Sequence, residues 1–115
     1  GFTSVLNGII EGPRLNGRVV EESGADFAVV RADGVVELND HYMLESEDGA
    51  KIYIRNQGFV YGPKEGRPGY FRATPFFRAP DGPYGWMNRT VFICGGERHP
   101  DPAGDYSIFR YWAVY

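Results

Sequence analysis

Between positions 26 and 57 apolar and polar residues alternate, and two Asp-Gly pairs, Asp33-Gly34 and Asp48-Gly49, cut the stretch into segments 26–31, 35–46 and 50–57. Asp-Gly between alternating segments is a strong hairpin signal, because glycine takes the positive φ of a tight turn at little cost. Turn length then fixes register. Two-residue turns would mix Tyr42 and Leu44 with Arg55 on one face, and Ile52 and Ile54 with Glu45 on the other. Three-residue turns with a left-handed glycine separate them. Val30 then faces Val36, Ala28 faces Leu38, Leu44 faces Ile52 and Tyr42 faces Ile54. One face becomes Ala28, Val30, Val36, Leu38, Tyr42, Leu44, Ile52 and Ile54. The other carries Arg31, Glu37, Asn39, His41, Glu45, Lys51, Tyr53 and Arg55, with Glu45 opposite Lys51. A one-residue slip would exchange the faces, so the bulged register is expected. Asp26, Asp40 and Asn56 fall together at one end of the apolar face, as the polar mouth of a pocket or as exposed strand ends.

The rest of the chain offers almost no helical periodicity, since Gly or Pro interrupts nearly every window long enough for an amphipathic helix. Strands are expected at 2–11, with Gly8 a bend, at 15–22, at 70–78, at 86–98, broken at Gly95-Gly96, and at 106–115. Pro75 puts the 70–78 strand at an edge or beside a bulge. Segments 58–69, 79–85 and 99–105 read as loops. About eight short strands at hairpin spacing predict an all-β fold, a closed antiparallel up-and-down barrel. Closure removes exposed edges, and a barrel of that size has room for one small ligand.

Composition narrows the function. A chain of 115 residues is one domain, spanning 1–115. A net charge of −3 argues against a nucleic-acid partner, which needs a basic excess. Cys94 is the single cysteine, so no internal disulfide or CxxC metal site forms, and two histidines cannot supply a three-His zinc site. We expect no metal and no other cofactor. There is no apolar run long enough to span a membrane and no visible signal peptide, so a cytoplasmic protein with no membrane partner is expected.

Several motifs together resemble one bacterial and fungal family, domain-of-unknown-function family number 3237. They are Asn7-Gly8, Glu11-Gly12-Pro13, Ser23-Gly24-Ala25-Asp26-Phe27, Leu38-Asn39-Asp40-His41-Tyr42 and Asp48-Gly49-Ala50-Lys51-Ile52. Tyr70-Phe71-Arg72, Pro75-Phe76-Phe77-Arg78 and Tyr84-Gly85-Trp86-Met87-Asn88 extend the likeness over nearly the whole chain. The resemblance implies a lipocalin-like (calycin-like) barrel, a further strand before this chain begins, and pocket proteins that include enzymes of secondary metabolism. It implies no defined activity. His41 stands where the family usually has Arg, Arg78 where it has Glu and Asn39 where it has Asp, departures that point to a different ligand.

Three constellations could carry chemistry. Asp26 with His41 as alternative is the candidate acid–base group, although His41 has the opposite parity to Asp40 on a regular strand. Tyr70, Arg72, Thr74 and Phe76 share a strand face, where Arg could clamp a carboxylate or lie flat on Tyr. Trp86 and Asn88, two apart on the expected 86–98 strand, would hold and orient an aromatic ligand or merely pack in the core. The catalytic candidates are therefore Asp26 and His41, and the substrate-binding candidates Tyr42, Tyr53, Arg55, Arg72, Thr74, Trp86 and Asn88. The expected function is cofactor-independent isomerisation, cyclisation, hydration or elimination of a small aromatic or carbonyl-bearing metabolite. The alternative is a non-catalytic carrier. A homodimer paired through the aromatic strand 106–115 is also expected.

Overall fold

The computed structural model describes residues 2–5, 9–12, 15–20, 25–26, 28–100, 102 and 106–115, with the backbone alone at 2–5, 9–11, 19, 25–26 and 106. Among the described residues ten strands form one antiparallel sheet: β1 (Phe2–Val5), β2 (Ile9–Glu11), β3 (Gly17–Val19), β4 (Ala25–Asp26), β5 (Val29–Val30), β6 (Val36–Ser46), β7 (Lys51–Tyr61), β8 (Tyr70–Arg78), β9 (Val91–His99) and β10 (Tyr106–Val114). Their order is β3-β2-β1-β10-β9-β8-β7-β6-β4, with β5 on β6. The sheet is strongly curled, and β3 pairs with both β2 and β6.

Both Asp-Gly turns take the expected form. Gly34 and Gly49 have φ of +86°, and the pairs Val30–Val36, Leu44–Ile52, Tyr42–Ile54 and Glu45–Lys51 occur as the three-residue turns require. The Asp33 carboxylate accepts from the Val35 amide at 3.1 Å, bracing the first turn. Glu45 forms ion pairs with Lys51 and Arg18 on the convex face.

The concave face holds the core. Tyr42, Leu44, Ile52 and Ile54 are buried there beside Ala73 and Phe77 of β8, Phe92 and Cys94 of β9, and Phe109 and Tyr111 of β10. Phe77 meets Phe92 edge to face at 4.8 Å, and Phe71 meets Phe109 likewise at 5.4 Å. Such pairs add to simple area burial. Leu15 and Met87 plug the end of the sheet where β6 turns into β7.

Several boundaries differ from the sequence reading: the 26–31 segment contributes β4 and β5, β3 is shorter than 15–22, and four further differences follow from packing. The 2–11 segment is two strands, β1 and β2, paired with each other. β7 continues past position 57 to Tyr61, because Gly58 lets it press against β8: a Cβ there would lie 2.1 Å from the Arg72 carbonyl oxygen. β9 starts at Val91, since Gly85–Arg89 forms a 3-10 helix. β9 also runs unbroken through Gly95-Gly96, where the Phe71 ring occupies the space a Gly96 Cβ would need. Pro75 was expected at an edge or beside a bulge, but β8 is an inner strand with β7 on one side and β9 on the other. β8 pairs with β7 along its whole length, but its ladder to β9 covers only Arg72–Gly95 and Ala73–Cys94. β10 is an inner strand, flanked by β9 along its whole length and by β1 over Ile108–Tyr111. Among the described residues, no helix is long and apolar enough to cross a membrane.

Candidate functional site

The end of the curled sheet opposite the plug is hollow. Val36 and Leu38 of β6, Val60 of β7, Phe71 of β8 and Phe109 of β10 wall a cavity of about 260 Å³. Asp40 is its acidic residue and Arg98 its basic one. The alternation of β6 explains the first: Asp40 follows Val36 and Leu38 on the concave side, two residues before Tyr42, and is 8% exposed. Arg98 follows Phe92, Cys94 and Gly96 on the concave side of β9, opposite Ser107 at the rim.

A polar row crosses the sheet at this depth. Asp26, Asp40 and Asn56 stand at successive facing positions on β4, β6 and β7. The sequence pattern grouped these same three residues. Asn56 is fully buried, and its amide nitrogen donates to the Cys94 sulfur at 3.8 Å while its Oδ1 has no partner among the described residues. Below the row the Tyr42 and Tyr111 hydroxyls share a buried hydrogen bond of 2.8 Å. Burial pushes the Cys94 thiol up to about 12, with the Asp40 charge adding to the effect and the Asn56 contact opposing it. Cys94 therefore stays a protonated, inert thiol.

Beyond the cavity lies a vestibule of about 510 Å³, sharing Val36, Val60, Phe71 and Arg98 with it and bordered by Arg72 and the 62–69 loop. Tyr61 and Tyr70 stack at its edge with centroids 5.0 Å apart, and the Arg67 guanidinium lies 4.2 Å from the Tyr61 ring.

The structure separates the residues that the sequence suggested as one site. Of the two catalytic candidates, Asp26 has its backbone opposite Asp40, and its side chain lies outside the described atoms. His41 is on the convex face, hydrogen-bonded to the Tyr53 hydroxyl, and no bulge turns it toward Asp40. Arg55, Arg72 and Thr74 share that convex face, where Thr74 donates to the Gln57 carbonyl at 3.4 Å. Of the binding candidates only Tyr42 faces inward beside the polar row. Trp86 and Asn88 do not share a strand face. They lie on the 3-10 helix at the plugged end, where Asn88 is exposed and clamps the Ala79 backbone at 2.7 and 2.8 Å. Trp86 packs against Phe92. Asn39, His41 and Arg78, the three departures from the family pattern, are all on the convex face and leave the cavity lining untouched. Arg98 was missed, since its parity can be counted only if β9 runs through Gly95-Gly96. Among the described residues no group of three or more His, Cys, Asp or Glu side chains is placed to hold a metal.

A profile of the family described as "Protein of unknown function (DUF3237)" matches residues 1–114. The chain belongs to this family. A UPF0311 protein of Rhodopseudomonas palustris is 34% identical over 109 residues, covering 84% of this chain and 71% of the relative. A crystal structure of a β-barrel-like protein from Acinetobacter baumannii superimposes with a TM-score of 0.79 at 27% identity, covering 91% of this chain and 71% of that one. At greater distance, a hydroalkoxylation enzyme of Penicillium herquei is 23% identical over 111 residues, 96% of this chain and 64% of the relative. The resemblance carried by the Asp-Gly, Leu-Asn-Asp and Tyr-Phe-Arg motifs therefore identified the family correctly, and the DUF3237 fold is the antiparallel, barrel-like one it implied.

Proposed function

We propose that this DUF3237 chain is a closed barrel of about eight strands that takes a small aromatic or carbonyl-bearing molecule into its open end and moves a proton on it, without a cofactor. Pairing of β3 with β6 supports closure. One observation carries the functional reading: among the described residues one carboxylate, Asp40, lines the cavity, 8% exposed on a wall that is mostly apolar, with Arg98 and Ser107 at the rim. A carboxyl group there can accept a proton from a bound hydroxyl or carbon acid and return it elsewhere on the same molecule. Asn56 stands beside Asp40 across the β6–β7 ladder, its Oδ1 buried and without a partner among the described residues, so the polar row continues behind the cavity wall. The site shifts from Asp26 and His41 to Asp40, with Asp26 at the facing register position. The relationship to a hydroalkoxylation enzyme is in keeping with this chemistry, because adding a hydroxyl across a double bond requires one proton to leave oxygen and one to reach carbon.

The test uses 2′-hydroxychalcone, whose phenol adds across its own enone to close a ring, with cyclisation followed by absorbance. Wild-type protein accelerates closure, and Asp40→Asn keeps binding while turnover falls by about 10²-fold or more, the usual contribution of a positioned acid–base group. Binding with no acceleration by wild-type protein selects the other reading, a carrier.

A further inference from the structure

We infer that the ligand of this site is an anion, a small planar molecule whose carboxylate stays at the open end on Arg98 while its uncharged part reaches Asp40. The inference rests on the cavity reading above and adds the substrate's charge and orientation.

Arg98, like Arg55 and Arg78 on the convex face, has no ion pair among the described residues, but of these three it is the one that borders the cavity. On the outside of the molecule Arg18 pairs with Glu45, Arg31 with Asp33 and Arg110 with Glu97. Among the described residues Arg98 has no hydrogen bond and no ion pair, although it borders both the inner cavity and the vestibule. A guanidinium presents a rigid fork of donors matched to carboxylate geometry. Arg72 borders the vestibule too, with one Nη donating to the Phe71 carbonyl at 2.8 Å. Among the described residues no acidic side chain lines the vestibule. In a protein of net charge −3, this is a local basic site. Clefts lined by one sign of charge draw in ligands of the other.

The two ends of the site therefore differ in sign. Asp40 at the inner end repels a carboxylate and Arg98 at the rim attracts one, which fixes which way the ligand lies. Size agrees. The inner cavity, at about 260 Å³, falls below the range of drug-sized sites, so it takes a single ring or its equivalent with the charged tail left in the vestibule. The walls that would flank the ring are apolar or aromatic, Leu38, Val60, Phe71 and Phe109.

Calorimetry with trans-cinnamate and trans-cinnamamide at pH 7.5 tests this, since the two share shape and differ in charge. Wild-type protein binds the carboxylate about tenfold or more tightly than the amide, as expected of a hydrogen-bonded charge. Arg98→Gln, a change at an exposed strand end, removes that preference and lowers carboxylate affinity to about that of the amide. Leu38→Trp, filling the cavity and checked for folding by circular dichroism, abolishes binding of both. Equal binding of acid and amide, or a preference that survives Arg98→Gln, overturns the anion assignment while leaving the cavity in place. Binding of neither probe, or undiminished binding in a folded Leu38→Trp, overturns the cavity reading itself.

Discussion

Gly49 and Gly58 show how one residue type answers two different physical demands. Gly49 has φ of +86° with open space where a Cβ would go, so its cost of replacement is purely conformational. Gly58 has ordinary φ, but a Cβ would meet the Arg72 carbonyl oxygen and the Ala73 backbone. Gly49→Ala should therefore destabilise by about 1 kcal/mol, and Gly49→Asn by less, because Asn tolerates the left-handed region. Gly58→Ala should cost about 1–3 kcal/mol or more, and Asn there should be worse than Ala, since β7 must move off β8. Urea denaturation of the four variants reads the contrast. Equal tolerance of Asn at both positions would contradict it. The first demand was legible in the sequence, because Asp-Gly between alternating segments calls for positive φ. The second was not, because nothing local to Gln57-Gly58-Phe59 shows that another strand passes within contact distance. For that reason 58–69 read as loop where β7 in fact continues to Tyr61.

At the scale of elements, alternation carried most of the information. The register of β5–β6 and β6–β7 followed from which residues must share a face, and the same count grouped Asp26, Asp40 and Asn56. It failed where a short 3-10 helix imitated a strand. Trp86, Asn88, Thr90 and Phe92 alternate with neighbours as a strand would, yet Thr90 donates to the Trp86 carbonyl at 2.6 Å and closes the turn before β9 begins. This segment is tied to the β6–β7 turn through Asp48, which accepts from the Tyr84 hydroxyl at 2.8 Å and from Ser46. The Ser46 hydrogen bond, and then that of Tyr84, holds the Asp48 carboxyl below its ordinary range. A depressed carboxyl pKa stabilises the fold above the unfolded value, near 3.8, and loses that contribution as pH falls through the lower folded value. Thermal melts of wild type and Asp48→Asn should thus differ at pH 6, with wild type the more stable, and converge toward pH 3. A gap that widens on acidification would contradict the tie.

For the whole molecule, the plug and the hollow lie at opposite ends of one curled sheet. Leu15, Met87 and Trp86 fill the end at the β6–β7 turn, while Gly34, Val36 and Val60 border the other. The chemistry expected from sequence was spread over both ends and the convex face. The structure brings Asp40, Asn56 and Arg98 to one end, with Arg72 at the outer border of the vestibule, and leaves His41 and Arg55 on the outside and Trp86 and Asn88 at the plug. Curvature explains why this was hidden. Side-chain parity gives a face, but only pairing around the sheet tells which face is enclosed, and only an unbroken β9 brings Arg98 to the rim. The central claim is that the hollow end binds the ligand. Methyl-resolved NMR tests it most directly, by titrating trans-cinnamate into protein labelled at Val, Leu, Ile and Met methyls. Saturable shifts at Val36, Leu38 and Val60, with Leu44, Ile52 and Met87 unmoved, are the predicted result. Shifts centred on Met87, or on Val91 and Ile93 of the convex face, would place binding elsewhere and contradict the account.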